Sequence, residues 1–166
     1  MKIIKELIPY VIIVLVVILL RTFIITPVRV NGDSMNQTLK DGEILLLEKY
    51  DKKFKRFDIV VLKYNDEKLV KRIIGMPGES VQYRNNILYI NGEKVSEEFL
   101  TEETYDFDLN VLGYDEIPEN YYFVVGDNRS NSLDSRLIGL ISKEDIEGKA
   151  IFRIFPFNKF GSIKSE

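Results

Sequence analysis

The chain contains no histidine and no cysteine among its 166 residues. The first absence excludes a Ser-His-Asp triad, and the two together exclude a Cys-His dyad. Ester hydrolases that share a Gly-Asp-Ser element need a downstream histidine and are excluded with them. Zinc sites built on Cys or His are ruled out. Without cysteine there is no disulfide framework, and the redox compartment is not encoded. The only alanine is Ala150, so no Ala-x-Ala cleavage site follows the N-terminal apolar run. Excess positive charge is also missing. The formal net charge is −3, and the +2 of Lys2, Lys5, Arg21 and Glu6 in the first 28 residues leaves −5 on the remainder. A nucleic-acid binder would show a clustered basic face. Neither an internal repeat nor a low-complexity segment is present.

What the chain does have begins with one membrane-length apolar segment, Leu7 to Ile25, of 19 residues. Crossing ~30 Å of hydrocarbon takes ~20 residues. Pro9 falls in the first helical turn, where its missing N–H costs little, and Arg21 can snorkel to the headgroups. Val11 to Leu20 is apolar on every face, unlike a helix on a soluble core. The segment reads as an uncleaved anchor. Lys2 and Lys5 precede it and Arg21, Arg29 and Lys40 follow, so the positive-inside rule is nearly tied.

Beyond Pro27 the pattern is that of a β-domain. Val28 and Val30 alternate with Arg29 and Asn31, as on a half-buried strand. Further strands are predicted over 44–47, 57–64, 69–74, 121–125 and 149–155. Met76-Pro77-Gly78-Glu79 has type II turn chemistry. Asn85-Asn86 and Asn91-Gly92 close two hairpins. Residues 96–119, rich in Glu and Asp, read as part of a surface excursion around 82–119. Asp106-Phe107-Asp108 within it reads as a solvated acidic loop rather than a cation site. Ser142 and Asp145 suggest a capping box before a very short helical turn. Many short strands with Gly and Asn turns argue for a β-barrel or folded sheet.

Three segments carry candidate chemistry. Asn31-Gly32-Asp33-Ser34-Met35 sits just past the apolar run and offers Ser34 as a nucleophile at a membrane surface. Its base must be a lysine, a carboxylate or a water, and the best lysine is Lys71. Lys71 and Arg72 are adjacent in a predicted strand, so they point to opposite faces. Arg72 cannot lose its proton. Lys71 can if desolvation lowers its pKa, and Val70, Ile73 and Ile74 supply apolar neighbours. A solvated Lys-Arg pair is the bland alternative. The third segment, Gly126 to Arg136, is eleven almost wholly polar residues after an apolar strand. A self-bonded polar loop is its bland reading. Asp134 and Arg136, at i, i+2, can instead pair on one face of an extended segment, leaving Ser132 to orient the Lys71 amine.

Taken in order, Gly32-Asp33-Ser34-Met35, Val70-Lys71-Arg72-Ile73-Ile74-Gly75-Met76-Pro77-Gly78 and Gly126 to Arg136 resemble the three boxes of the type I signal peptidases, in the short Gram-positive form. The resemblance implies a mainly β fold. Residues 1–27 would be the N-terminal tail and transmembrane anchor, and 28–166 an extracytoplasmic β-rich peptidase domain. It implies a single-pass protein of the cell membrane that removes signal peptides from exported preproteins. Ser34 would be the nucleophile and Lys71 the general base, with Ser132, Asp134, Arg136 and Asp127 supporting them. Val28, Val30, Leu39, Val61 and Val70 would line pockets for small residues. Its partners would be signal peptides and the lipid bilayer, not nucleic acid, and it would be monomeric, with no metal or cofactor.

Two departures stand out. The family usually reads Ser-Met-x-Pro-Thr-Leu, whereas here Gln37 replaces the proline that stiffens the turn. Some relatives place a serine two residues before the nucleophile as an oxyanion donor, and here that position is Gly32. The Ser34 N–H must then bear more of that load. Two other classes remain: a membrane-tethered β-domain that only binds partners, supported by Gln37 alone, and a self-cleaving Ser/Lys protein like the SOS-response repressors.

Overall fold

The computed structural model describes residues 2–23 and 25–163, with the side chains of the first helix described from Glu6 to Ile18. The expectations for the side chains of Lys2, Lys5 and Arg21 lie outside the described residues. Helix α1 (Lys2–Phe23) precedes strand β1 (Ile25–Arg29). The apolar run is thus shared between two elements, because Ile25 pairs with Glu48 as the first rung of β1. Among the described residues, no helix is long and apolar enough to cross a membrane. The described apolar side chains of α1 are nevertheless about half exposed, from Val16 at 46% to Tyr10 at 66%.

The strands that follow are β2 (Ile44–Glu48), β3 (Ile59–Tyr64), β4 (Glu67–Gly75), β5 (Val81–Arg84), β6 (Ile87–Ile90), β7 (Glu93–Val95), β8 (Phe107–Asp108), β9 (Tyr121–Val125), β10 (Ile141–Ser142), β11 (Ile146–Phe155) and β12 (Gly161–Ser162). The main sheet runs β1-β2-β11-β3-β4-β9-β10, with β12 on β11. No described pairing joins β10 to β1, so the path is an open folded sheet rather than a closed barrel. A second sheet, β7-β6-β5-β8, is the excursion. The apolar run Ile59-Val60-Val61-Leu62 makes β3 buried on both faces, as a strand between two cores must be. One apolar cluster gathers Val28, Leu45, Val61 and Val70, and another gathers Val60, Leu62, Ile73 and Val124.

Both hairpin turns form as their Asn and Gly residues require. Asn85 and Asn86 have φ of 49° and 64°, and Asn91 and Gly92 have 52° and 77°, the left-handed pair of a type I′ turn. Other expectations need correcting. Phe57 lies outside β3 with φ of 69°, and β11 starts at Ile146, three residues before the predicted Lys149. Ser142 caps no helix. Its hydroxyl accepts from the Glu144 N–H in a tight turn between β10 and β11. The short helix is α2 (Ser135–Ile138), capped by Asp134. Asp106 and Asp108 are not idle acids of a solvated loop. Asp106 accepts from the Asn85 N–H, and Asp108 accepts from Gln82 Nε2 and the Asn110 N–H.

Candidate active site

Ser34 sits in a compact turn between β1 and β2. The Asn36 N–H donates to Asp33 O, and the Thr38 and Leu39 N–H groups both donate to Met35 O. Met35 and Leu39 are buried beneath it, so the turn is pinned by its apolar residues and presents Ser34 half-buried. Strand alternation puts Lys71 on the opposite face of β4 from Arg72. Lys71 Nζ and Ser34 Oγ are hydrogen-bonded at 2.6 Å. Lys71 is only 2% exposed. Burial lowers its pKa from 10.5 to about 8, although the Asp134 and Asp127 carboxylates pull it back upward. A buried amine with its proton loosened, in contact with a hydroxyl, is the arrangement a Ser/Lys proton transfer requires.

Arg72 is not solvated either, at 1% exposure. Its Nε donates to Asp127 Oδ1 at 2.9 Å and its Nη2 to Asp127 Oδ2 at 2.7 Å. The geometry is a two-point fork, the strongest form of ion pair available. Thr38 Oγ1 donates to the same carboxylate at 2.6 Å. Asp127 therefore fastens the Ser34 turn to β4, a brace that the pattern of the chain did not reveal for Thr38.

The third segment packs on the nucleophile from the other side. Gly126 is obligatory here. A Cβ would lie 2.3 Å from Ser132 Oγ and 2.5 Å from the Ser34 carbonyl oxygen. That carbonyl accepts from the Asn128 N–H at 2.9 Å. Asp134 accepts from the Gly126 N–H at 3.1 Å and from Arg136 Nη2 at 2.8 Å. Burial pushes the Asp134 carboxyl up, but the Arg136 guanidinium outweighs it and the net shift is downward. The Asp134–Arg136 pair is formed, but as cap and first turn of α2 rather than on an extended segment. Ser132 Oγ is buried and makes no hydrogen bond to Lys71. Among the described residues, no protein group accepts from the Ser34 N–H.

The five expected pocket residues all fall in one apolar cluster. Only Val28 borders an open groove, of about 580 Å³, with Pro27, Arg29, Asn31, Glu67, Lys68 and Leu69. Val30, at 1%, and Val70, at 6%, are nearly sealed, and Leu39 and Val61 have no exposed surface. They stand as the wall behind the groove rather than its surface. The groove lies between two strand edges. β1 ends the sheet, and β9 pairs with β4 only at Arg72, Ile73 and Gly75, leaving the Glu67–Lys71 edge of β4 open.

Sequence reasoning missed Arg129, Glu97 and Phe99. The Arg129 side chain has no exposed surface and pairs with Glu97 at 2.6 Å. Its Nε also donates to the Gly126 carbonyl. Phe99 covers the Arg72 guanidinium at 3.8 Å. The one available signal was an arginine within a polar stretch that follows an acidic segment.

A profile of the family described as "Signal peptidase, peptidase S26" matches residues 3–155. The chain is 44% identical over 160 residues to a signal peptidase I S of Bacillus subtilis (strain 168), covering 90% of this chain and 87% of that one. It is 43% identical over 162 residues to a signal peptidase I of Bacillus amyloliquefaciens, covering 91% and 87%. The crystal structure of a signal peptidase I from Enterococcus faecalis V583 superposes with a TM-score of 0.56 at 40% identity, covering 58% of this chain and 96% of that one.

Proposed function

This chain belongs to the signal peptidase family, peptidase S26, and is a type I signal peptidase hydrolase, and on that premise we propose that it cleaves signal peptides with Ser34 as nucleophile and Lys71 as general base. The 2.6 Å contact of Lys71 Nζ with Ser34 Oγ carries the reading. Neutral Lys71 takes the hydroxyl proton as Ser34 Oγ attacks the scissile carbonyl carbon. The ammonium then passes that proton to the leaving amine, and the acyl-enzyme forms. Water, deprotonated by Lys71, attacks the ester and frees Ser34. The Ser34 N–H is available for the developing oxyanion. The buried Ser132 Oγ, whose hydroxyl bears on Asp134, would accept from the Lys71 ammonium in its charged interval. Asp127, Asp134 and Arg136 brace the segments that hold the pair.

The substrate enters as an extended strand. Open edges of β1 and β4 flank the groove, so a peptide between them gains main-chain bonds on both sides. The cleaved residue is small because Val28, with Val30, Leu39, Val61 and Val70 sealed behind it, leaves only shallow apolar relief. Helix α1 anchors the enzyme in the cell membrane, with the catalytic domain extracytoplasmic. Its described apolar side chains have no protein to cover them, which lipid would supply. Confinement with a membrane-bound preprotein raises effective concentration.

Cleavage of a model preprotein in detergent tests the dyad. Ser34→Ala and Lys71→Ala are each expected to abolish turnover, and the double variant to lose no more than either. Lys71→Arg should be as inactive as Lys71→Ala, because guanidinium accepts no proton. Substantial turnover in Lys71→Arg removes Lys71 from the role of base.

A further inference from the structure

We infer that residues 97–104 form a positioning arm that locks the three segments of the Ser34–Lys71 site together, with Gln37 and Thr101 as its joint to the nucleophile turn. The inference rests on the reading of Ser34 and Lys71 as the reacting pair. The segments that supply the site come from three separate parts of the chain, and this stretch touches each of them. Phe99 lies over the Arg72 guanidinium at 3.8 Å, next to the lysine on β4, and meets Phe57 edge-on at 5.3 Å. Glu97 pairs with Arg129 of the third segment, Thr104 Oγ1 accepts from Arg129 Nη1 at 2.9 Å, and Glu102 accepts from the Arg129 N–H at 3.0 Å. Thr101 reaches the nucleophile turn. Its N–H and its hydroxyl both donate to Gln37 Oε1, each at 2.9 Å.

The arm is rooted in the second sheet. Tyr83 Oη, on β5, donates to Glu97 at 3.1 Å, and the Thr104 N–H donates to Asn86 Oδ1 at 3.0 Å. Both ends, at Glu97 and Thr104, are thus held by the β5–β6 hairpin, and Thr101 between them holds the turn bearing Ser34. Gln37 stands where the family pattern has a proline. A proline ring stiffens a turn from within; Gln37 stiffens it by a two-donor contact to the arm. The turn retains Gln37 although its Nε2 is buried without a partner, an arrangement that is unfavourable on its own. A misplacement of even 1 Å between reacting groups costs about 100-fold in rate, so a joint three residues from Ser34 acts on turnover rather than on substrate affinity.

The test uses the full-length chain in detergent with a fluorogenic peptide carrying small residues before the cut. Gln37→Ala and Thr101→Val are expected to lower kcat about ten-fold and leave KM within about two-fold. The double variant should lose no more than the worse single one, because both changes open one joint. Gln37→Pro is expected to restore kcat to within about three-fold of the parent, since the Gln37 N–H donates to no acceptor among the described residues. A contact with only a structural role would lower Tm without this kcat-to-KM split and without rescue by proline. Thr101 is exposed, so its variant folds and decides the matter if Gln37→Ala does not. Unchanged kcat in Gln37→Ala and Thr101→Val, or a Gln37→Pro as impaired as Gln37→Ala, overturns the arm. Activity surviving in Ser34→Ala overturns the dyad reading instead, whatever the Gln37 variants do.

Discussion

Lys71 carries opposite consequences for stability and for activity. In the unfolded chain its amine titrates near 10.5, and in the folded chain near 8. Between those values the unfolded chain binds more protons, so stability rises with pH across that window; below pH 8 the destabilisation is at its full value. The neutral amine is also the form that can act as base. The pH profile of kcat/KM is therefore expected to rise through an apparent pKa near 8, and a profile whose only rising limb lies near pH 4 would indicate a carboxylate base. Lys71→Met keeps the length of the side chain and removes the buried charge. It is expected to be inactive yet more stable at pH 7 by about 2 kcal/mol, with a weaker pH dependence between 8 and 10.5. Urea denaturation at pH 7 and pH 10 measures both effects, and a variant no more stable than the parent at pH 7 would show that the amine is not destabilising.

At the scale of elements, the loop from Gly126 to α2 holds the site in register. Asp134 caps α2 and holds the Gly126 N–H, Arg129 holds the Gly126 carbonyl, and the Ser34 backbone rests against the open face of that glycine. A methyl group there meets the Ser34 carbonyl oxygen, which is backbone and cannot rotate away. Gly126→Ala is therefore expected to cut kcat at least about 100-fold and to destabilise the fold by about 2 kcal/mol. Retention of full activity would mean that the turn and the loop move apart freely. The hairpin turns were legible because Asn-Asn and Asn-Gly favour left-handed φ locally. The register shifts of β11 at 146–148, 150–152 and 153–155 were not, since a bulge is chosen by the two strands that flank it.

For the molecule as a whole, the placement of the C-terminal aromatics is informative. Phe157 is 80% exposed and Phe160 61%, while Phe152 is half-buried and packs edge-on against Phe160 at 4.9 Å. Exposed aromatic rings favour the headgroup boundary, which would place Phe157 and Phe160 beside helix α1. Register separates them from it: Phe155 and Arg29 both pair with Ile44, whereas Ile25 pairs with Glu48, about 13 Å along the strand. Contact with a bilayer then requires β1 to lie along the membrane surface. In full-length chain reconstituted in phosphatidylglycerol-containing vesicles, Phe157→Ser with Phe160→Ser is expected to lower preprotein cleavage about three-fold, leaving cleavage in detergent and Tm unchanged. Equal loss in detergent would mark these rings as structural. Resistance of the chain to alkaline carbonate extraction tests the anchor separately, and release by carbonate would refute it.

The absence of histidine and cysteine, the apolar run and three short polar motifs were enough to point to a candidate Ser/Lys pair and to a mainly β domain. Those are properties of residue type and local order, and one-dimensional pattern encodes them. Whether Lys71 and Arg72 are solvated or buried was not encoded, because burial depends on Ser34, Asp127 and Phe99 arriving from distant parts of the chain. The same reason hid the 97–104 arm. Its acids looked like a soluble fringe until Arg129, more than 25 residues on, proved to be their partner. Sequence nominated Ser34 and Lys71 as the candidate pair. Tertiary structure alone brought Ser34 and Lys71, 37 residues apart, to hydrogen-bonding distance, and it lowered the pKa of the amine by excluding water from around it.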